Sequence, residues 1–475
     1  MLKTSWYRLI LLLPLFICML LCKSAWAENE DRSITSEDGV YTYSMNEDGS
    51  VTLCSFDWKT HQTGDDVIVP SMVDGHVVSE IGAKCYARHN RATIGTLVIP
   101  NSIRSIEALA FFELEINHIS IPASVEVIEQ GAFVTEYTSI SVAKGCPNYT
   151  AVKGGLYEKS TKTLLAAAHQ GVEILDGIRN IGAYACYAIE PETVALSRIP
   201  ASVEAIGNHA FFTAQLMCAA DEAYHIPAAT IEEYAFSKAV FKSPYSGNVE
   251  ITFDEQLTAL PAGCFSEAAA KWNSYVKYWD KREFKYKHTY DYFNTSLLVH
   301  LPEAMTRIGD SAFEQFGSKL NASWAASGSN EYGSIVLVNG LPAGLTSIGA
   351  HSFEIKGMVD LSSPEGFAGC IALKEIGEAA FRGTELKVGN ETDDAVRFVL
   401  PETLSSIGNE ALYIANSSNH TFVLPWNLSS IGENAFNKQF VTLEVQNGSY
   451  SESWANEHAC RYTTNEEDDL SWLND

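Results

Sequence analysis

The stretch "IPASVEVIEQGAF", residues 121–133, decides how this chain is read, because close copies of it recur. They are "IPNSIRSIEALAF" at 99–111, "IPASVEAIGNHAF" at 199–211, "LPEAMTRIGDSAF" at 301–313, "LPAGLTSIGAHSF" at 341–353, "LPETLSSIGNEAL" at 400–412 and "LPWNLSSIGENAF" at 424–436. In each copy a proline precedes a core aliphatic by six residues, and that aliphatic precedes a Phe or Leu by five, so Pro122, Ile128 and Phe133 correspond to Pro425, Ile431 and Phe436. Weaker copies run from Ile81 to Tyr86, Ile181 to Cys186, Ile231 to Phe236, Leu260 to Phe265 and Ile376 to Phe381. Self-similarity of this kind marks a solenoid, in which each unit covers the apolar face of the last.

The unit's local structure follows from its residue types. Residues before the proline alternate, as in Leu97-Val98-Ile99-Pro100, which suits a short strand with its first and third side chains inward. Proline has no N–H to continue the ladder and ends the strand. Ile-Gly then predicts a turn where a side chain would obstruct the bend, and Ala-Phe a short helical turn that delivers the ring to the core. Adjacent aliphatic landmarks lie 22 residues apart at Ile106 and Ile128 and 24 apart at Ile407 and Ile431. Wider gaps predict insertions near 140–170, where "GGLYEKSTKTLLAAA" reads as a hairpin, near 266–296 and near 316–335.

These phrases resemble the units of the BspA-like leucine-rich repeat family, which read approximately "L-x-x-I-x-I-P-x-S-V-x-x-I-G-x-x-A-F". The resemblance runs from about residue 67 to 436 and extends to "PSMVDGHVVSEIG" near the start and "NGSYSESWANEHACRYT" near the end. It implies a repeat solenoid of the leucine-rich-repeat type, mainly short parallel β-strands joined by turns and short helical turns. It also implies a cell-surface or secreted protein of host-associated microbes that adheres to host matrix proteins, such as fibronectin or fibrinogen, or to other cells. No ligand motif carries over, because the matching positions are core positions.

The termini complete the organisation. Lys3 and Arg8, the apolar run Leu9–Cys22 and Ala25-Trp26-Ala27 read as a secretory signal spanning 1–27. The run is short of the ~20 residues of a bilayer span. Residues 28–66 hold "GVYTYSMNEDGSVTLCSF", which alternates about Asn46-Glu47-Asp48-Gly49 and predicts a hairpin capping the first repeat. Residues 437–475 form a C-terminal cap and an acidic tail.

The chain carries a formal net charge of -27, and loss of Lys3, Arg8 and Lys23 with the signal takes it to -30. Such a balance opposes nucleic acid and anionic membrane as partners. No second hydrophobic span follows the signal, which places the mature chain on the cell surface, in the periplasm or outside the cell. No metalloprotease, hydrolase, phosphate-loop or dinucleotide motif is present in the sequence, so the reading is a binding protein without catalytic residues, metal or cofactor. Cys85 and Cys264 stand at the repeat alanine and Cys186 at the repeat Phe, which reads as small buried thiols.

Two features are candidates for recognition. One is the outward strand position two residues before each proline, where Arg198, His225 and His300 fall in the middle repeats. The other is "KWNSYVKYWDKREFKYKHTYDYF", residues 271–293, with nine aromatic rings and six basic residues against three acids. Within it Trp272, Tyr275, Tyr278, Trp279, Lys281, Arg282 and Tyr286 are of the types enriched at interface hot spots. The same rings also suit stacking on sugars, and a third reading packs them against the scaffold. The functional classes that follow are an adhesin-like protein binder, a glycan-binding or nutrient-capture protein, and a structural surface component.

Overall fold

The computed structural model describes residues 33–87, 92–219, 222–243, 248–280, 285–317, 332–363, 366–388, 396–415 and 420–465, with the backbone alone at 60, 272–280, 285–294 and 465. The expected signal at 1–27, the expected tail from 466, Lys281, Arg282 and most of the expected insertion near 316–335 lie outside the described residues. The chain forms two compact units, one through Thr150 and one from Ala151.

Near the start of the first unit is a hairpin of Tyr41–Met45 (β1) and Val51–Phe56 (β2), turning through Gly49, with Ile34–Thr35 paired antiparallel on the outer side of β1. Strand β2 continues as a parallel ladder: Leu53 pairs with Ile81, Ile81 with Ile106, and Ile106 with Ile128. A second parallel ladder joins Val67–Ile68, Ala92–Val98 (β3), Leu114–Ile121 (β4) and Glu136–Val142 (β5). Tyr86, Phe111 and Phe133 lie between the ladders as a column, their centroids 5.3 and 5.4 Å apart and their planes nearly parallel.

In the second unit the strands include Gln215–Met217 (β6), Tyr224–Ile226 (β7), Val240–Ser243 (β8), Val249–Phe253 (β9), Ala269–Asp280 (β10), Lys285–Asn294 (β11), Ser296–His300 (β12), Ser334–Leu337 (β13), Met358–Asp360 (β14) and Glu385–Lys387 (β15). They form one sheet in the order β6-β8-β10-β11 and another in the order β7-β9-β12-β13-β14-β15. A last sheet joins Arg397–Val399 (β16), His420–Val423 (β17), Val441–Gln446 (β18) and Arg461–Asn465 (β19). Between β18 and β19 the helix Tyr450–Glu457 (α1) is capped by Ser449, whose Oγ accepts from the Glu452 N–H at 3.1 Å.

The core aliphatics form a ladder of their own, which the sequence reading missed. Two-residue strands such as Arg307–Ile308, Ser347–Ile348, Glu375–Ile376 and Ser406–Ile407 pair in parallel with Ile opposite Ile. Strands this short leave no periodicity to read. The Ile-Gly glycine is needed for a reason other than the predicted bend. Its N–H donates to the previous landmark's carbonyl, as Gly408 does to Ile376 at 2.8 Å. A Cβ on Gly408 would lie 2.5 Å from the backbone N of Glu378 and 2.7 Å from the carbonyl carbon of Gly377, so glycine sets the coil-to-coil spacing. Gly408→Ala is therefore expected to cost about 1–3 kcal/mol, read as a lower denaturant midpoint; an unchanged midpoint would show that the coils separate freely.

The Ala-Phe segment is also not helical. The residue two before the core ring sits in the left-handed region in coil after coil: Leu109 at φ 59°, His209 at 54°, Ser311 at 54°, His351 at 56°, Glu410 at 54°. The reversal turns alternate N–H groups along the solenoid, so Ser311 donates to Ala350 and Phe313 to Ser352, at 2.7 and 2.8 Å. These bonds to the next coil offset the cost of left-handed backbone in non-glycine residues.

That turn delivers the ring to a column running Phe211, Phe236, Phe265, Phe313, Phe353, Phe381, with centroids 4.9 to 5.3 Å apart and interplanar angles of 3° to 12°. Cys264 and Ala312 fill the position just before the ring and are fully buried. Beside the column the left-handed residues make a shorter stack in which His209 lies between the rings of Tyr184 and Tyr234 at 4.9 and 5.1 Å. The next such position is Gly263, where a Cβ would overlap the Tyr234 ring.

Candidate interaction surface

The outward positions of the β7-β9-β12-β13-β14-β15 sheet form a patterned face across six strands of the second unit. Alternation creates it: Leu297 and Val299 are buried, while Ser296, Leu298 and His300 between them point out. Register then sets Glu250 opposite Leu298, Leu298 opposite Val336, Val336 opposite Asp360 and Asp360 opposite Lys387. Half-buried Leu298, Val336 and Met358 make an apolar centre. Glu250, Thr252 and His300 flank it on one side, and Asp360, Glu385 and Lys387 on the other.

His225 and His300 share a row, each opposite Thr252 on the strand between them. The His225 ring pairs through Nδ1 with Thr252 Oγ1 at 3.0 Å, and the His300 Nε2 with Glu250 Oε1 at 2.5 Å. Glu250 and Thr252 were invisible to sequence reasoning, because the row is defined by pairing across unequal insertions.

Arg198 does not join this row. It is exposed, but it follows the 3-10 turn Val194–Leu196 and lies in no strand. The Ser197 side chain takes a strand's place there, its Oγ accepting from the Met217 N–H at 3.2 Å and donating to the Met217 carbonyl at 3.0 Å.

The basic and aromatic stretch grows from the sheet as a ribbon. Strand β10 pairs with β8 from Ala269 to Trp272, and beyond that, among the described residues, with β11 alone, Asn273 opposite Tyr292 through Asp280 opposite Lys285. Eight residues past the sheet extend roughly 27 Å at ~3.4 Å per residue. By register Tyr275, Trp279, Tyr286, Tyr290 and Tyr292 share one face with Lys277 and His288, while Trp272, Tyr278 and Phe293 share the other. Tyr275 is thus opposite Tyr290, and Trp279 opposite Tyr286. At the root, Lys242 and Lys271 are direct neighbours across the β8–β10 pair, and burial lowers the pKa of each.

Five buried cysteines are held as thiols. Cys85, Cys186, Cys264 and Cys370 are buried. Burial pushes the Cys218 and Cys370 thiols up to about 12 and those of Cys85, Cys186 and Cys264 upward as well, so all stay protonated. Among the described residues no three His, Cys, Asp or Glu converge as metal ligands, and no helix is long and apolar enough to cross a membrane.

No curated protein matches the chain. Among solved structures, a leucine-rich cell surface protein of Faecalibacterium prausnitzii is 16% identical with a TM-score of 0.39, covering 89% of this chain and 97% of its own. A leucine-rich repeat protein of Eubacterium ventriosum is 15% identical with a TM-score of 0.40, covering 74% and 95%. The pneumococcal vaccine antigen PcpA is 11% identical with a TM-score of 0.27, covering 91% and 98%. The profile of the BspA type leucine rich repeat region matches in six copies, over residues 75–162, 166–269, 224–322 and 334–446. With parallel ladders, glycine-spaced coils and a ring column repeating through that span, the chain belongs to the BspA-type leucine-rich repeat family.

Proposed function

We propose that this is an extracellular or cell-surface binding protein, adhesin-like, that holds a protein partner against the β7-β9-β12-β13-β14-β15 face. The observation that carries the reading is the distribution on that face: Leu298, Val336 and Met358 at its centre, with charged groups around them. An apolar centre within a polar rim is the anatomy of a protein interface. Residues 1–27, read from sequence as a secretory signal, support export on this reading, and host matrix proteins such as fibronectin or fibrinogen are the partners to test first.

Val336→Glu sets a carboxylate in the middle of the face without touching the ring column. It is expected to weaken partner binding at least about tenfold, as loss of a central apolar contact does, and to leave the melting curve unchanged. Binding measured on immobilised matrix proteins checks this; equal affinity for wild type and variant would remove the face from consideration.

A second reading is favoured by the ribbon. Tyr275, Trp279, Tyr286, Tyr290 and Tyr292 on one face suit stacking on sugar rings, which would make the protein a glycan-binding or nutrient-capture protein. Replacing residues 273–292 by a short Gly-Ser turn abolishes binding to a polysaccharide panel on this reading, whereas on the first reading the same replacement spares binding to the protein partner. Absence of both activities would leave a structural surface component.

A further inference from the structure

Strand β11 has a free edge among the described residues: it is the last strand of its sheet, ten residues long, and is paired on one side by β10. Its sequence, "KYKHTYDYFN", contains no proline or glycine to interrupt pairing. Long regular edges present backbone donors and acceptors in a row and are ordinarily shortened, bulged or covered. The charges on this strand suggest what covers it. Lys285 already stands opposite Asp280 within the ribbon, whereas Lys287 stands opposite Tyr278 and Asp291 opposite Ser274. One positive and one negative residue, equidistant from Thr289, are thus left without a counter-charge opposite them.

We propose that β11 pairs antiparallel with β11 of a second copy, about a two-fold axis at Thr289, to make a homodimer. This register sets Lys287 of each copy opposite the partner's Asp291, so both charge pairs form at once, as an isologous contact requires. It also sets Tyr286 opposite the partner's Tyr292 and His288 opposite the partner's Tyr290. Shifting the axis to His288 or Tyr290 removes the Lys287–Asp291 pairing. An axis at Thr289 keeps Lys285–Phe293 paired throughout and leaves the same ribbon face up in both copies. The two ribbons become one four-stranded sheet, doubling the aromatic face. The proposal does not depend on which partner the repeat face takes.

Sedimentation velocity of the full chain over a concentration series tests it. Wild type shows a monomer–dimer equilibrium. Lys287→Asp and Asp291→Lys each place like charges opposite one another twice, and each is expected to weaken dimerisation about tenfold. Mixing the two variants in equal amounts restores a heterodimer with both charge pairs intact, and the double variant dimerises as wild type does. A wild type that stays monomeric throughout the micromolar range overturns the proposal, and so does a dimer indifferent to both reversals. Single variants that weaken without rescue in the mixture overturn it too. The mixture reports on pairing even if one variant loses some stability alone.

Discussion

Phe313→Ala is expected to lower the unfolding free energy by about 3–5 kcal/mol, the range for truncating a buried aromatic. Phe313 is fully buried, with Phe265 stacked on one side at 5.2 Å and Phe353 on the other at 5.3 Å. Neither neighbour can move in to fill the gap, because each is held by its own turn, whose N–H groups are bonded to the next coil. The cavity therefore persists, and its walls lose dispersion contacts on two sides. Urea unfolding of the variant beside wild type measures the loss. A loss below 1 kcal/mol would mean that the column does not bear on stability.

Acidification is expected to destabilise the fold through His209. Burial is the first cause that lowers its pKa to about 4, and the nearby Lys238 charge is the second. Geometry explains the burial: the imidazole lies between two tyrosine rings, with Nδ1 bonded to the Asn208 side chain. The unfolded chain binds a proton near pH 6.5, whereas the folded chain resists it until about pH 4. Stability contributed by the neutral ring is therefore complete above pH 6.5 and falls as the pH drops towards 4. The loss is on the order of 3 kcal/mol. Burial lowers the pKa of His420 as well, with the same sign. Comparing wild type with His209→Tyr isolates the contribution, since carboxylate titration is common to both. The difference in stability between the two should shift in favour of the variant as the pH falls from 7 to 4. A constant difference would show that His209 is solvated.

The repeat could be read from sequence because its chemistry recurs at fixed spacing. In the seven close copies between Pro100 and Phe436 the proline, the aliphatic and the closing Phe or Leu hold their intervals, and the structure buries those aliphatics and closing residues. The turn conformation could not be read, because the left-handed position holds Lys84, Leu109, Tyr184, Ser311, Ala379 and Asn434, residues with no property in common. It is selected by where its N–H points. The role of the glycines was misassigned for a similar reason: what they avoid is the preceding coil, some thirty residues away in sequence, as with Gly408 and Gly377. On the candidate face, His225 and His300 were named from their interval to proline, but their partners Thr252 and Glu250 depend on register across insertions of different length. Arg198 holds the same interval and fails to join, because Ser197 closes the backbone locally.

One property of the second unit bears on how such a chain changes over time. Between the core ring and the proline, the path is split into an early strand and a late one, β8 and β9 or β10 and β12, and each half pairs with the matching half of its neighbour. The break between the halves is thus a splice point. New sequence entering there adds little beyond loop-closure entropy, which grows only slowly with length. Between Trp272 and Ser296 the chain has used it to hold a whole hairpin, while the ring column and the landmark ladder pass beneath without interruption. Recognition elements can be acquired or replaced at this position while the part of the sequence that specifies folding stays fixed.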